Sequence, residues 1–241
     1  MRRGSALVRG TATAVLLIVL GQASPARADA LTTATAGGTT VTVTIPNVIF
    51  EGMGCMQAPV RAVFDGVDSF ATIHLAAAIA GSNNALSISL LANDSGPITD
   101  TFQVCPTIDG PGTYTTTGTL NTAVEAAPLP AATFTVSRAT TRFSALVASV
   151  RRSTLTVAGK VVARTNSGDI GAAGSIRIFG YLSKARGGSG KWMPIGTAYP
   201  DQFGAFRVSG ATNRRLNGAF IRAQFIPDAW CLGSRRLVRI P

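Results

Sequence analysis

Thr39-Thr-Val-Thr-Val-Thr-Ile45 alternates polar and branched apolar residues from Thr40 onward. That two-residue period puts the apolar side chains on one face of an extended strand and scatters them around a helix. The period returns in short segments to the end of the chain. In order they are Val60–Phe64, Phe70–Ile79, Ala85–Leu90, Ile98–Cys105, the run opened by Tyr114 and Ala131–Val136. Then come Phe143–Val150, Ser153–Thr165 (with a bulge or bend at Gly159), Gly174–Leu182, Lys191–Thr197, the stretch around Phe206, Ala219–Ile226 and Arg236–Ile240. Turn-forming clusters such as Asp65-Gly66, Asn93-Asp-Ser-Gly-Pro97 and Asn166-Ser-Gly-Asp169 separate them. Two sets of seven short strands predict an all-β chain of two seven-stranded sandwiches in tandem.

Length and charge agree with two units. The 241 residues suffice for two domains of about 100 residues each. Residues 29–139 carry two Arg against eight acids, a net of −6, whereas residues 140–241 carry sixteen Lys or Arg against three acids, a net of +13. The predicted layout is a signal peptide over 1–28, a flexible lead over 29–37, an acidic sandwich over 38–137 and a basic sandwich over 140–241.

The signal reading rests on three adjoining features. Arg2, Arg3 and Arg9 form a positive start, Ala12–Leu20 a short apolar run, and Ala26-Arg-Ala28 a small-x-small cleavage site, so the mature chain is expected to start near Asp29. The run is too short to cross a bilayer, and no cysteine at the cleavage site is available for a lipid anchor. The expected location is extracellular or associated with the cell envelope, with no membrane span in the mature chain.

Export permits disulfides. Of Cys55, Cys105 and Cys231, two lie in the acidic half, so Cys55–Cys105 is the favoured bridge among three possible pairings. Cys231, beside Trp230, is then either a buried small apolar side chain, the favoured case, or a bridge to a second chain. The oligomeric state is left open by the sequence.

The motif Ile108-Asp-Gly-Pro-Gly-Thr-Tyr114 places a tight turn, Asp109 to Gly112, before a strand, and Leu216-Asn-Gly-Ala-Phe220 echoes it about a hundred residues later. Each reads as the entry to a penultimate strand. Asp109, Gly112 and Tyr114 resemble the Asp-x-Gly-x-Tyr corner of immunoglobulin-like domains, with one extra residue before the glycine. The resemblance implies a structural role for Tyr114, its hydroxyl bonding back to the turn, and by the echo for Phe220. That family's second cysteine has no counterpart, since Thr116 holds its position. The order Ile176-x-Ile178, glycine loop, Lys191-Trp-x-x-Ile-Gly-Thr197, Asp201-x-x-Gly-x-Phe206, Phe220-x-x-Ala-x-Phe225 is similar to immunoglobulin-like or transthyretin-like repeats of secreted bacterial proteins. It implies a scaffold and no chemistry.

Residues suited to chemistry are few. His74, the only histidine, falls in mid-strand with no Gly-x-Ser-x-Gly elbow to supply a nucleophile. Asp65, Asp68, Asp94, Asp100 and Asp109 sit in or beside turns, where Asp serves local hydrogen bonding; Asp65, Asp68 and Asp109 are the weak candidates for Ca²⁺ should their loops converge. Neither cysteine spacing nor histidine count suits zinc, and no cofactor is expected. The basic half offers a polyanion-binding reading, with Arg151, Arg152, Arg214, Arg215, Arg235 and Arg236 as its paired arginines. Nucleic acid is not the expected partner, because the chain is read as exported and carries no aromatic–basic RNA-binding motif. The sequence therefore favours a non-enzymatic, envelope-associated structural or binding module, possible partner an anionic envelope polymer. The alternative is an extracellular carrier holding a small ligand between the domains or in a sandwich cleft.

Overall fold

A computed structural model describes residues 29–66, 69–82, 84–92, 96–183, 187–211, 216 and 218–241. The described residues form strands, turns and loops with no helix. Residues 30–137 build two sheets. One has the order β1 (Ala30–Ala36), β2 (Thr39–Ile45), β4 (Met56–Asp65), β7 (Ile98–Val104); the other β3 (Val48–Ile49), β9 (Ala126–Ser137), β8 (Gly112–Asn121), β5 (Thr72–Ile79), β6 (Ala85–Leu91). β1 lies alongside β9 and β6 alongside β7, so the sheets meet along both margins. Val41, Val43 and Ile45 of β2 point inward as the alternation requires, toward Ile73, Leu75 and Leu120 of the facing sheet. Phe102 and Tyr114 both stack on Phe134, at 6.2 and 5.2 Å between ring centroids, tying β7, β8 and β9 together.

Residues 140–239 build two further sheets. β11 (Thr154–Thr165) is the centre of one. It pairs with β10 (Thr140–Arg151) on one side, and on the other with β15 (Ala205–Ala211) along its first half and β12 (Gly168–Gly171) along its second. Gly204 makes that change of partner possible: its φ is +81°, and a Cβ there would stand 1.9 Å from the Val161 carbonyl oxygen. The facing sheet has the order β14 (Trp192–Ala198), β13 (Gly174–Tyr181), β16 (Phe220–Pro227), β17 (Ser234–Arg239). The two halves touch where Glu51 accepts hydrogen bonds from the Ser167 hydroxyl (2.6 Å) and N–H (3.1 Å).

Three sequence expectations change. Among the described residues the strands number nine and eight rather than seven and seven, with β1, β3 and β12 additional. The lead over 29–37 is not a flexible tail. Ala30–Ala36 is a strand whose alternate residues are buried, fully paired with β2, and Thr32 Oγ1 donates to the Pro130 carbonyl 2.6 Å away on β9. Its inward positions are Ala and Thr, so it buries area with almost no hydrophobic contrast in the sequence. Gly159 is not itself the bulge. The register slips between Phe143 and Ala145 on β10, and Gly159 is the place where the Ala145 carbonyl and the Phe206 ring press against β11.

Candidate functional site

The turn before Tyr114 is a closed knot of backbone and side chain. It begins earlier than Asp109: the Cys105 carbonyl accepts from the N–H groups of Ile108, Asp109 and Gly110. Asp109 Oδ2 accepts from the Cys105 N–H at 2.8 Å, and the Tyr114 hydroxyl donates back toward the carbonyls of Gly110 (2.9 Å) and Asp109 (3.1 Å). Cys105 is bonded to Cys55, which ties this turn to the loop before β4. Phe220 is not a counterpart. It opens β16 but is 44 % exposed, and a phenyl ring has no hydroxyl to return to a turn.

Burial, and secondarily the negative charge of Asp109, push the Tyr114 phenol from 10.0 up to about 12. Burial, then Asp228, push the Cys231 thiol from 9.0 up to about 11. Both shifts favour the neutral form in the folded chain. The stability they carry is whole below the unfolded values and is lost as pH climbs through 9–11 for Cys231 and 10–12 for Tyr114. The urea midpoint of the wild type is expected to fall over pH 9–12. Tyr114→Phe should start about 1–2 kcal/mol lower at pH 7, from the lost hydroxyl bonds, and fall less between pH 10 and 12. A profile for Tyr114→Phe parallel to wild type over that range would refute the assignment.

Cys231 is buried to 1 % exposure, and Ala139 forms a parallel bridge with it. The N–H of Ala139 donates to the Trp230 carbonyl and the N–H of Leu232 to the Ala139 carbonyl, so this segment fastens the seam between the halves to the second one. In this fold the thiol is a packing group.

The carboxylates do not assemble. Asp65 ends β4, nine residues from Met56, which is paired with Val104 beside the Asp109 turn. At strand rise that is roughly 30 Å, so Asp65 and Asp109 lie at opposite ends of the first half. Asp68 lies outside the described residues. Among the described residues no three His, Cys, Asp or Glu are grouped to hold a metal ion. The Ca²⁺ grouping therefore fails on topology: Asp109 is spent on capping Cys105.

His74 has a partner that the sequence did not suggest. Its Nδ1 is 2.7 Å from Ser89 Oγ, across the β5–β6 ladder. β5 is paired on both sides, with β6 and β8, so its backbone N–H groups are consumed by the ladders. The Ser–His pair stands on the outer face of this sheet, where it bridges β5 to the edge strand β6.

The arginines regroup according to strand geometry. Arg214 and Arg215 lie outside the described residues. Arg151 and Arg152 are exposed at the β10–β11 turn, Arg152 with φ +50°. Arg235 and Arg236 part company because neighbours on a strand face opposite ways. Arg236 stands over the side of the sandwich, where its Nη1 donates to the Phe143 carbonyl of β10 at 2.7 Å, while Arg235 belongs to the outer face.

That outer face, over β14-β13-β16-β17, is where charge and aromatic rings meet. Its rows run across the sheet: Arg177, Gln224, Arg235; then Phe179, Arg222, Leu237; then Trp192, Tyr181, Phe220, Arg239. The guanidinium carbon of Arg222 is 4.6 Å from the Phe179 centroid and 4.7 Å from that of Trp192, and Tyr181 packs on Trp192 at 5.4 Å. Arg177, Arg235 and Arg239 are exposed. The four strands contain five Arg and not one Asp or Glu. The ion pair found among the described residues, Arg142–Asp169, belongs to the other sheet.

No family model matches the chain, and no curated protein matches it. Solved structures align weakly. The tetra-tandem repeat in the extending region of a large adhesion protein is 10 % identical over 89 % of this chain and 57 % of its own, at a TM-score of 0.35. The chicken interferon gamma receptor alpha chain is 9 % identical over 78 % and 97 %, at 0.31. Red sea bream transglutaminase is 10 % identical over 86 % and 32 %, at 0.33. This chain thus spans little more than half of the first, and no activity is transferred from any of them.

Pairing adjacent arginines does not bring Arg177, Arg222 and Arg239 together. The signal was present at the other spacing: Arg177-x-Phe179-x-Tyr181, Phe220-x-Arg222-x-Gln224 and Arg235-x-Leu237-x-Arg239 each place alternate residues on one face. A separate cleft of about 420 Å³ opens between the sheets at the opposite end of the second half from the seam, lined by apolar groups including Leu155, Leu182, Met193, Ile195 and Ile221.

Proposed function

We propose that this chain is a secreted, non-enzymatic β-sandwich module of the cell envelope. In this reading an acidic and a basic domain meet at residues 138–140, and the basic one binds an anionic polymer. The observation that carries the reading is the arginine-bearing outer face of β14-β13-β16-β17, whose strands hold no carboxylate to neutralise it. Its field attracts anions and its aromatic rings keep Arg222 in place. The Cys55–Cys105 bond supports an oxidising compartment, in keeping with the signal expected over 1–28. The mature chain is expected to be retained on its own cell envelope and released as salt rises from about 0.1 M to 1 M, as screening shortens the reach of exposed charges. Retention that survives high salt, or is absent at low salt, contradicts the reading.

The carrier alternative draws on the apolar cleft, whose volume falls in the range of small-ligand sites. An apolar fluorescent probe that binds mature protein and is lost in Met193→Trp, at a cleft residue that is 42 % exposed, would favour it; no binding would dismiss it.

A further inference from the structure

We infer that the outer face of β14-β13-β16-β17 recognises an acidic polysaccharide, a polymer with both sugar rings and carboxylates; this rests on the anionic-polymer reading above and narrows it. Holding Arg222 takes only Phe179 and Trp192, yet Tyr181 and Phe220 stand beside Trp192 in one row across three neighbouring strands, ending at Arg239 on a fourth. Phe220 is 44 % exposed and Leu237 57 %, an apolar surface in the middle of a strongly basic one. Aromatic faces complement the C–H faces of sugar rings, and guanidinium forks complement carboxylates. The rows repeat along the strands every second residue, so Arg235 and Arg239 stand about 13 Å apart, with apolar Leu237 between them. An extended chain laid across the third row meets three rings and then the Arg239 cation. Arg222 is already oriented by Phe179 and Trp192, and its Nε is buried with no hydrogen-bond partner, so two rings rather than an acid hold it. Single-stranded nucleic acid also pairs stacking with charge, but a disulfide-bonded chain read as exported meets envelope glycan first.

The test uses the mature chain, 29–241, with alginate, carboxyl-reduced alginate, inorganic polyphosphate and oligo-dT as probes. Binding is followed by Trp fluorescence and by retention on immobilised polymer. Phe220→Ala and the combined Arg177→Gln, Arg235→Gln, Arg239→Gln variant are at exposed positions, and unchanged melting midpoints verify their folding. Alginate is expected to bind, carboxyl-reduced alginate to bind at least tenfold more weakly, and the triple variant to lose about tenfold or more. Phe220→Ala should weaken alginate about fivefold to tenfold and leave polyphosphate unchanged. Equal binding of alginate and polyphosphate, both indifferent to Phe220→Ala, overturns the polysaccharide inference while leaving generic polyanion binding intact. Tighter, Phe220-dependent binding of oligo-dT overturns it in favour of nucleic acid. Failure to bind any of the anionic probes overturns both it and the proposed function.

Discussion

Replacing Cys55 and Cys105 together by Ala is expected to lower the unfolding free energy by about 4 kcal/mol, the chain-entropy value for a closed loop of this size. The separation of the two cysteines is 50 residues, and the loop between them contains β4, β5, β6 and β7, strands from both sheets. Without the bond, the turn at Cys105 still has the Asp109 cap and the Tyr114 hydroxyl, so the native contacts can persist while the unfolded chain gains freedom. Denaturant unfolding of wild type and double variant, under oxidising conditions, measures the difference. A loss below about 1 kcal/mol would mean that the bond merely decorates a turn already fixed by its hydrogen bonds.

Removing residues 29–37 should be as damaging. The segment reads as a dispensable tail, but β1 pairs with β2 through all seven of its residues, Ala30↔Ile45 to Ala36↔Thr39. It also fills the margin beside β9, where Pro128 and Pro130 lack N–H groups and Thr32 reaches the Pro130 carbonyl instead. Its loss opens one margin of the sandwich and leaves β2 as an unprotected edge. Against a total stability of about 5–15 kcal/mol, the shortened chain is expected to be largely unfolded or aggregated at 25 °C, measured by circular dichroism and size-exclusion chromatography. A soluble 38–241 chain with an unchanged melting midpoint would restore the flexible-lead reading.

Where side chains contrast, sequence sufficed. β2 and β6 are visible as clean alternation, the Cys55–Cys105 bond as two cysteines in one half, and the all-β class in every segment. Where inward residues are Ala and Thr, as in β1, or where Pro interrupts, as in β9, contrast disappears although area is still buried. β12 is four residues long, too short to show a period, and exists because β11 is longer than β15 can cover. Pairing partners are not written in any local pattern. That is why neither Ser89 beside His74 nor the separation of Asp65 from the Asp109 turn by the length of β4 is legible in the sequence. The regrouping of the basic surface has a different reason. Adjacent arginines look like a cluster in a sequence, but a strand sends them to opposite faces; Arg235 and Arg236 separate for this reason, and Arg177, Arg222, Arg235 and Arg239 converge from three strands.

One comparison tests whether the chain binds anions through the proposed face. Wild-type mature protein, the Arg177→Gln, Arg235→Gln, Arg239→Gln variant and an Arg151→Gln, Arg152→Gln variant are each retained on the same envelope preparation and eluted with a salt gradient. The outer-face variant, short of three charges, should elute at clearly lower salt than wild type, and earlier than the turn variant, short of two, by more than one charge accounts for. Co-elution of the outer-face variant with wild type, or a larger shift for the Arg151 and Arg152 variant, would contradict the assignment of binding to the β14-β13-β16-β17 face.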